Sequence, residues 1–198
     1  SEPLHIQWNP ATDEVEVVNY SAGTHKGLTA KVQVLNMDAS VAWEKEATVD
    51  SNEDTTDKCI KLEFPENLSK VHFIKMTLTE DGKVVSDNFY HRSLEENNYQ
   101  DLCQLAKVAL QSATTVDKNA DGTWSAVSVI ENKTSTPALM IRLNVVDGKD
   151  DQQILPVFYS DNYFSLLPGE KKEVRMSWRD EDTRGNEGKV LITGYNVE

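Results

Sequence analysis

Carboxylates are the first chemistry this sequence offers. It holds 33 Asp and Glu against 20 Lys and Arg, a formal net charge of -13 over 198 residues. Paired carboxylates serve glycosidases and aspartic proteases, but the pair needs one raised pKa and one ionised partner a few ångströms away. No spacing here selects such a pair. Most acids, Glu14, Glu16 and Glu63 among them, fall in loops or on the polar side of an alternating run. They read as a solvated surface. The run DKNADG, with Asp117, Asn119, Asp121 and Gly122, opens like a calcium-binding loop, in which alternating oxygen ligands precede a sharp glycine turn. The twelfth position should supply a bidentate Glu and is instead Ser128, inside an expected strand. The calcium-like pattern is weak, and a hairpin turn accounts for it. The four histidines, His5, His25, His72 and His91, form no HExxH or close pair. His72 alternates with Ile74 and Met76 and reads as a packed sheet residue. There is no GxSxG and no glycine-rich phosphate loop. No catalytic residue, resident metal or cofactor is expected.

One aromatic cluster stands out. Phe158, Tyr159, Tyr163 and Phe164 flank Asp161 and Asn162. Rings beside amides and carboxylates can cover the apolar face of a sugar while the polar groups take its hydroxyls. The same composition can seal a loop against a core or a neighbouring domain. Trp8, Trp43 and Trp124 carry the same ambiguity, whereas Trp178 shares a face with Val174 and Met176 and reads as core. Three Asn-x-Ser/Thr triplets begin at Asn19, Asn67 and Asn132. They are meaningless in a bacterial protein and mark surface turns in a secreted eukaryotic one. Cys59 and Cys103 are neither a CxxC pair nor a disulfide framework, and sequence leaves their bridging open.

The elements that must position these residues are strands. Apolar residues recur with period two at 28–34, 60–64, 72–78, 124–130, 139–145, 174–178 and 190–194. Further strands are expected at 14–19, at 83–93, across Ala106, Val108 and Leu110, and over Ile154–Tyr159. Asp81-Gly82, Asp121-Gly122, Asp147-Gly148 and Pro168-Gly169 punctuate them as turns. Tyr99–Leu105 is the one stretch with helical spacing. The expected fold is all-β: two tandem immunoglobulin-like antiparallel β-sandwiches, at 1–93 and 105–198, joined by a linker at 94–104 with a short helical turn. A single long sandwich or jelly roll is the alternative. The acidic balance argues against nucleic acid or anionic lipid as partner. No apolar run approaches the roughly 20 residues of a membrane span. A start without Met, and without a signal peptide, reads as a processed protein or an excised fragment.

The stretch LPVFYSDNYFSLLPGEKKEV, Leu155 to Val174, resembles the C-terminal region of family 2 glycoside hydrolases, in the β-mannosidase and exo-β-D-glucosaminidase branch. VVSDNFY (Val84–Tyr90) resembles that branch's last strand before the terminal domain, and Pro3-Leu4-His5 its entry. VIENKTSTPALMIRLNV (Val129–Val145) is similar to the terminal domain's paired strands, with Asn132 and Ala138 on matching positions. ITGYN (Ile192–Asn196) resembles the closing strand, with Tyr195 where Trp is common; His91 likewise follows Phe89-Tyr90 where Trp is frequent. The resemblance implies two immunoglobulin-like domains from the C-terminus of a multi-domain retaining exo-β-glycosidase. In that family the catalytic glutamates belong to a TIM barrel, which does not fit in this chain. It implies the parent's other domains as partners, with a glycan as a further candidate, and a periplasmic or secreted parent. Segment 158–164 is then expected at a domain interface or a sugar contact. A stand-alone carbohydrate-binding or surface adhesion module is the alternative.

Overall fold

Strands make up nearly all the regular structure of the computed structural model, which describes residues 2–198. They fall into two units, one running to Gln104 and the other from Leu105 to Glu198. The first contains β1 (Leu4–Asn9), β2 (Glu14–Asn19), β3 (His25–Asn36), β4 (Val41–Ser51), β5 (Thr55–Lys61), β6 (Val71–Glu80) and β7 (Lys83–Ser93). Sheet β1-β2-β5 and sheet β4-β3-β6-β7 are antiparallel throughout. The period-two residues supply one shared core: Ile6, Val15, Val17 and Ile60 from the first sheet meet Leu28, Ala30, Val32, Val34, Ile74, Met76 and Leu78 from the second. Asp81 and Gly82 both take positive φ between β6 and β7, at 48° and 77°, the geometry of a two-residue hairpin loop that matches strand twist.

The second unit contains β8 (Gln111–Lys118), β9 (Thr123–Glu131), β10 (Ala138–Asp147), β11 (Phe158–Tyr159), β12 (Phe164–Leu166), β13 (Lys171–Arg179) and β14 (Gly188–Thr193). Sheets β12-β10-β14 and β11-β13-β9-β8 are again antiparallel. Ile141, Leu143 and Val145 meet Ile130, Val174, Met176 and Trp178 between them. Trp178 is core, 2% exposed, and stacks on Trp124 with centroids 6.4 Å apart and planes 4° from parallel. The protein is all-β, two immunoglobulin-like sandwiches in tandem.

Several local expectations are corrected. Residues 106–110 form no strand: Val108 makes one isolated parallel bridge to Val197, and pairing with β9 starts at Gln111. Ile154–Tyr159 is not one strand either. A cis Leu155–Pro156 peptide lies within it, and a sheet pair forms at Phe158–Tyr159 alone. The helical turn at Gln100–Gln104 is a 3-10 turn, and a second one, at Asp180–Thr183, had no signal in apolar spacing. The outward face of the first unit's larger sheet is dry at one end. Leu35, Phe73 and His91 lie in register across β3, β6 and β7 on the side away from the core. Phe73 is fully buried there, 5.1 Å from the Phe89 ring and 5.6 Å from His91.

Candidate functional site

Segment 158–164 crosses from one sheet of the second unit to the other. Phe158 and Tyr159 pair with Ser177 and Met176 of β13. Ser160 continues the contact: its N–H donates to the Arg175 carbonyl at 2.8 Å, and its Oγ accepts the Arg175 N–H at 2.9 Å. Asp161, Asn162 and Tyr163 then make the crossing, and Phe164 enters β12 opposite Ile141.

Asn162 is the pivot of that crossing. Its Oδ1 accepts the Leu143 N–H at 2.9 Å, and its Nδ2 donates to the Leu143 carbonyl at 3.0 Å. One side chain thus imitates a neighbouring strand and satisfies both backbone groups of a β10 residue. Oδ1 also accepts the Tyr163 N–H at 3.1 Å, which turns Tyr163 to a φ of 61°. Asp161 accepts the Asn162 N–H at 2.7 Å through Oδ1 and pairs with Lys172 through Oδ2. The Lys172 ammonium lies 5.0 Å from the Phe164 centroid. The Tyr159 hydroxyl accepts the Val145 N–H at 3.2 Å, and burial pushes its pKa above the ordinary tyrosine value despite that bond.

The six residues therefore divide. Phe164 is core and Tyr159 half-buried, while Asp161 and Asn162 are committed to local bonds. Phe158 and Tyr163 remain 71% and 61% exposed, large values for aromatic rings on a folded domain. Tyr163 is not isolated. The Arg142 guanidinium lies 5.8 Å from its centroid, and no carboxylate pairs with Arg142 among the described residues. Along the same outward side of β10 and β14 follow Met140, Leu191 and, just past the strand, Tyr195, exposed by 50%, 36% and 44%. Asn144, opposite Leu191, has an Oδ1 shielded from solvent without a donor. Sequence reasoning missed this face, because Met140, Arg142 and Leu191 are distant in sequence from 158–164.

The calcium-like run is a hairpin. The Asn119 N–H donates to Thr123 O at 2.8 Å, and Asp121 Oδ1 accepts both the N–H and the hydroxyl of Thr123, at 3.0 and 2.6 Å. Those bonds hold the Asp121 carboxyl below its usual range. A cavity of about 540 Å³ opens beside it, lined by Asp121, Gly122, Thr123, Arg179, Asp180 and Glu181. Its charges are matched internally. Asp180 accepts from Lys118 at 2.8 Å and from Trp124 Nε1 at 2.7 Å, which lowers its pKa, and Arg179 donates to Glu181 at 2.9 Å. No group of three His, Cys, Asp or Glu side chains suited to a metal occurs among the described residues.

The two buried acids are structural. Glu16, 6% exposed, accepts from the amides of Gln7 and Asn9 at 3.1 and 3.2 Å. Asp147, in the other unit, caps its own turn by accepting the N–H groups of Lys149 and Asp150. His72 is fully buried: Nδ1–H donates to Ser69 O at 3.1 Å, and Nε2 accepts from Arg92 at 3.0 Å. Desolvation, with Arg92 beside it, lowers its pKa. Cys59 is half-buried on β5, where its thiol donates to Val15 O at 3.3 Å and burial pushes its pKa up to about 11. Cys103 lies in the 3-10 turn Gln100–Gln104.

Comparison with known proteins finds the same architecture. Residues 88–197 match the model of the exo-beta-D-glucosaminidase Ig-fold domain, and residues 13–93 that of the mannosidase Ig/CBM-like domain. The exo-beta-D-glucosaminidase of Streptomyces avermitilis is 30% identical over 221 residues, covering 100% of this chain and 24% of that enzyme. That of Arthroderma benhamiae is 26% identical over 210 residues, covering 98% and 23%. Among solved structures, an exo-chitosanase of Amycolatopsis orientalis superposes with a TM-score of 0.92 at 27% identity, over 99% of this chain and 26% of that one. The chain thus spans about a quarter of the length of the relatives it matches. With its match across 88–197, the chain belongs to the exo-beta-D-glucosaminidase Ig-fold domain family.

Proposed function

We propose that this chain is the non-catalytic, C-terminal pair of sandwiches of a retaining exo-β-glycosidase, and that it buttresses a catalytic barrel carried elsewhere in the parent. The parent's substrate is a terminal β-linked glucosaminide, with a β-mannoside as the related choice. The observation that carries this reading is the superposition of nearly the whole chain on about a quarter of an exo-chitosanase. The state of the polar groups supports it: the buried acids and the 158–164 amide and carboxylate are engaged in holding strands.

The contact with the rest of the parent is the outward side of β12-β10-β14. The exposed apolar side chains of Met140, Tyr163 and Leu191 share that side with Arg142, whose guanidinium lies beside the Tyr163 ring. Exposed apolar surface rimmed by polar groups marks a protein contact, and a guanidinium over a ring calls for a carboxylate opposite. The exposed rings of Phe158 and Tyr163 also favour a second reading, a carbohydrate-binding module. A glucosaminide is cationic when protonated, so Arg142 repels it and the protein contact is the better fit.

Arg142→Glu combined with Tyr163→Ser separates the two, made both in this chain and in the full gene product. The contact predicts an unchanged melting temperature for the chain, and a lowered one with reduced turnover for the full product. Equal effects in both proteins, or none in the full product, sink it. Titration of the chain against a glycan panel, with Tyr163→Ala and Trp124→Ala, tests the second reading.

A further inference from the structure

The three Asn-x-Ser/Thr triplets are chemically alike in sequence and differ sharply in structure. Asn19 is fully buried at the end of β2. Its Nδ2 spends both hydrogens, on Gly23 O at 3.1 Å and Ser51 O at 3.3 Å. Its Oδ1 accepts the N–H and the hydroxyl of Ser21, at 2.9 and 2.6 Å. Asn132 repeats the arrangement just after β9. It is fully buried, donates to Thr136 O at 2.8 Å and Leu166 O at 3.0 Å, and accepts from the N–H and hydroxyl of Thr134 at 3.1 and 2.8 Å. In both, the triplet's own hydroxyl locks an Asx turn. A glycan on either amide would replace one of the two donated hydrogens, leave a buried or part-buried carbonyl without that donor, and have to be housed at a side chain that is fully buried. Sequence leaves open whether the triplets mark surface turns; burial of Asn19 and Asn132 removes that reading for two of the three.

Asn67 is the opposite case. It is exposed in the turn between β5 and β6, and no hydrogen bond holds its side chain among the described residues. The turn beneath it is fixed. Leu68 is buried in the core, the Ser69 N–H donates to Asn36 Oδ1 at 2.9 Å, and the Ser69 hydroxyl donates to Val71 O at 2.6 Å while accepting the Met37 N–H at 2.9 Å. The Asn67 amide thus projects from a rigid base into solvent.

We propose that Asn67 is the chain's acceptor for an N-linked oligosaccharide wherever it is made beside a lipid-pyrophosphate-linked donor, and that Asn19 and Asn132 are fold motifs closed to one. In the transfer, Asn67 Nδ2 attacks the donor's anomeric carbon. The N–C bond forms as the C–O bond to the pyrophosphate breaks, the lipid pyrophosphate leaves, and the amide gives one proton to the transferase. Folding then engages the Ser69 hydroxyl, so transfer precedes closure of the β5–β6 turn. This inference does not depend on the parent's activity.

The test is secretion of the chain from a eukaryotic host, followed by glycopeptide mass spectrometry on the folded, secreted fraction and on the retained, aggregated fraction. The secreted chain should carry one glycan, on Asn67. Asn67→Gln should abolish the gel shift removed by peptide N-glycosidase while leaving secretion and melting temperature unchanged. Glycan on Asn19 or Asn132 should occur in the retained fraction alone. A secreted chain without glycan overturns the proposal, as does a shift that survives Asn67→Gln or a folded chain modified at Asn19 or Asn132.

Discussion

Removal of the Asn162 side chain tests whether segment 158–164 is held by the clamp on Leu143. Asn162→Ala deletes the bond from the Leu143 N–H and the bond to its carbonyl, 2.9 and 3.0 Å long. It also frees Tyr163 from the acceptor that fixes its positive φ. Each lost bond is worth about 1 kcal/mol net, and a partner left buried without water costs about 1–3 kcal/mol. The site is part-buried, so water reaches some of the gap. The sum is about 2–4 kcal/mol, which for a domain of this size lowers the melting temperature by roughly 10–25 °C. Asn162→Asp sharpens the test. Ionised, it keeps the acceptor for the Leu143 N–H but sets a negative oxygen against the Leu143 carbonyl; protonated, it donates to that carbonyl again. Its folded pKa is therefore raised above the unfolded value. Stability is then restored below the unfolded carboxyl pKa and lost as pH rises through the folded one. Melts followed by near-ultraviolet circular dichroism from pH 4 to 8 should show Asn162→Asp approaching the parent chain at low pH and Asn162→Ala staying low throughout. A loss under about 3 °C for Asn162→Ala, or pH-independent behaviour of Asn162→Asp, would refute the clamp.

Other consequences follow from burial. Desolvation holds His72 and His91 below their ordinary pKa of 6.5, so below that value the unfolded chain takes up protons that the folded one refuses. The melting temperature should fall from pH 7.5 toward pH 5, more gently in His91→Leu, and a flat profile in the unaltered chain contradicts the burial. At Gly188 an added Cβ would lie 2.8 Å from Trp178 Cζ2, so Gly188→Ala should cost about 1–3 kcal/mol in urea unfolding. Unchanged stability there would mean that the Trp178 pocket is loose. The Cys59 pKa of about 11, against an ordinary thiol value of 9.0, leaves roughly 100-fold less thiolate at pH 8, so alkylation of Cys59 should be slow until the chain is unfolded. Alkylation at the rate of a free thiol in the native state would contradict that burial.

Period two made the central strands legible. Leu28 to Val34 and Val174 to Trp178 alternate because each contributes one face to a core, and the structure buries those faces. Edge strands lack that signal. β4 carries Glu44, Lys45 and Glu46 and is exposed along most of its length, as is β8, whose QSATTVDK text has a single strongly apolar residue. Charged or polar edges are how sheets avoid pairing with other chains, and the same property hides them from a search for apolar rhythm. Ala106, Val108 and Leu110 mimicked a strand, yet a rhythm cannot say whether a neighbour exists to pair with, and here a single bridge to Val197 forms. The candidate segment was visible as a cluster of rings. Its division into core, clamp and exposed parts was not, because the partners Leu143, Val145, Arg142 and Lys172 come from other strands. Asn132 and Asn19 carried the right triplets for an Asx turn, which read equally as glycan acceptors until their burial was known.

The central claim is that this piece supports chemistry performed elsewhere. The most direct measurement is hydrolysis of aryl β-glucosaminide, aryl β-mannoside and chitosan oligomers by the purified chain beside the full gene product. The full product should turn these substrates over, and the chain should not. Measurable turnover by the chain alone, with a burst that reports a covalent glycosyl intermediate, would contradict it.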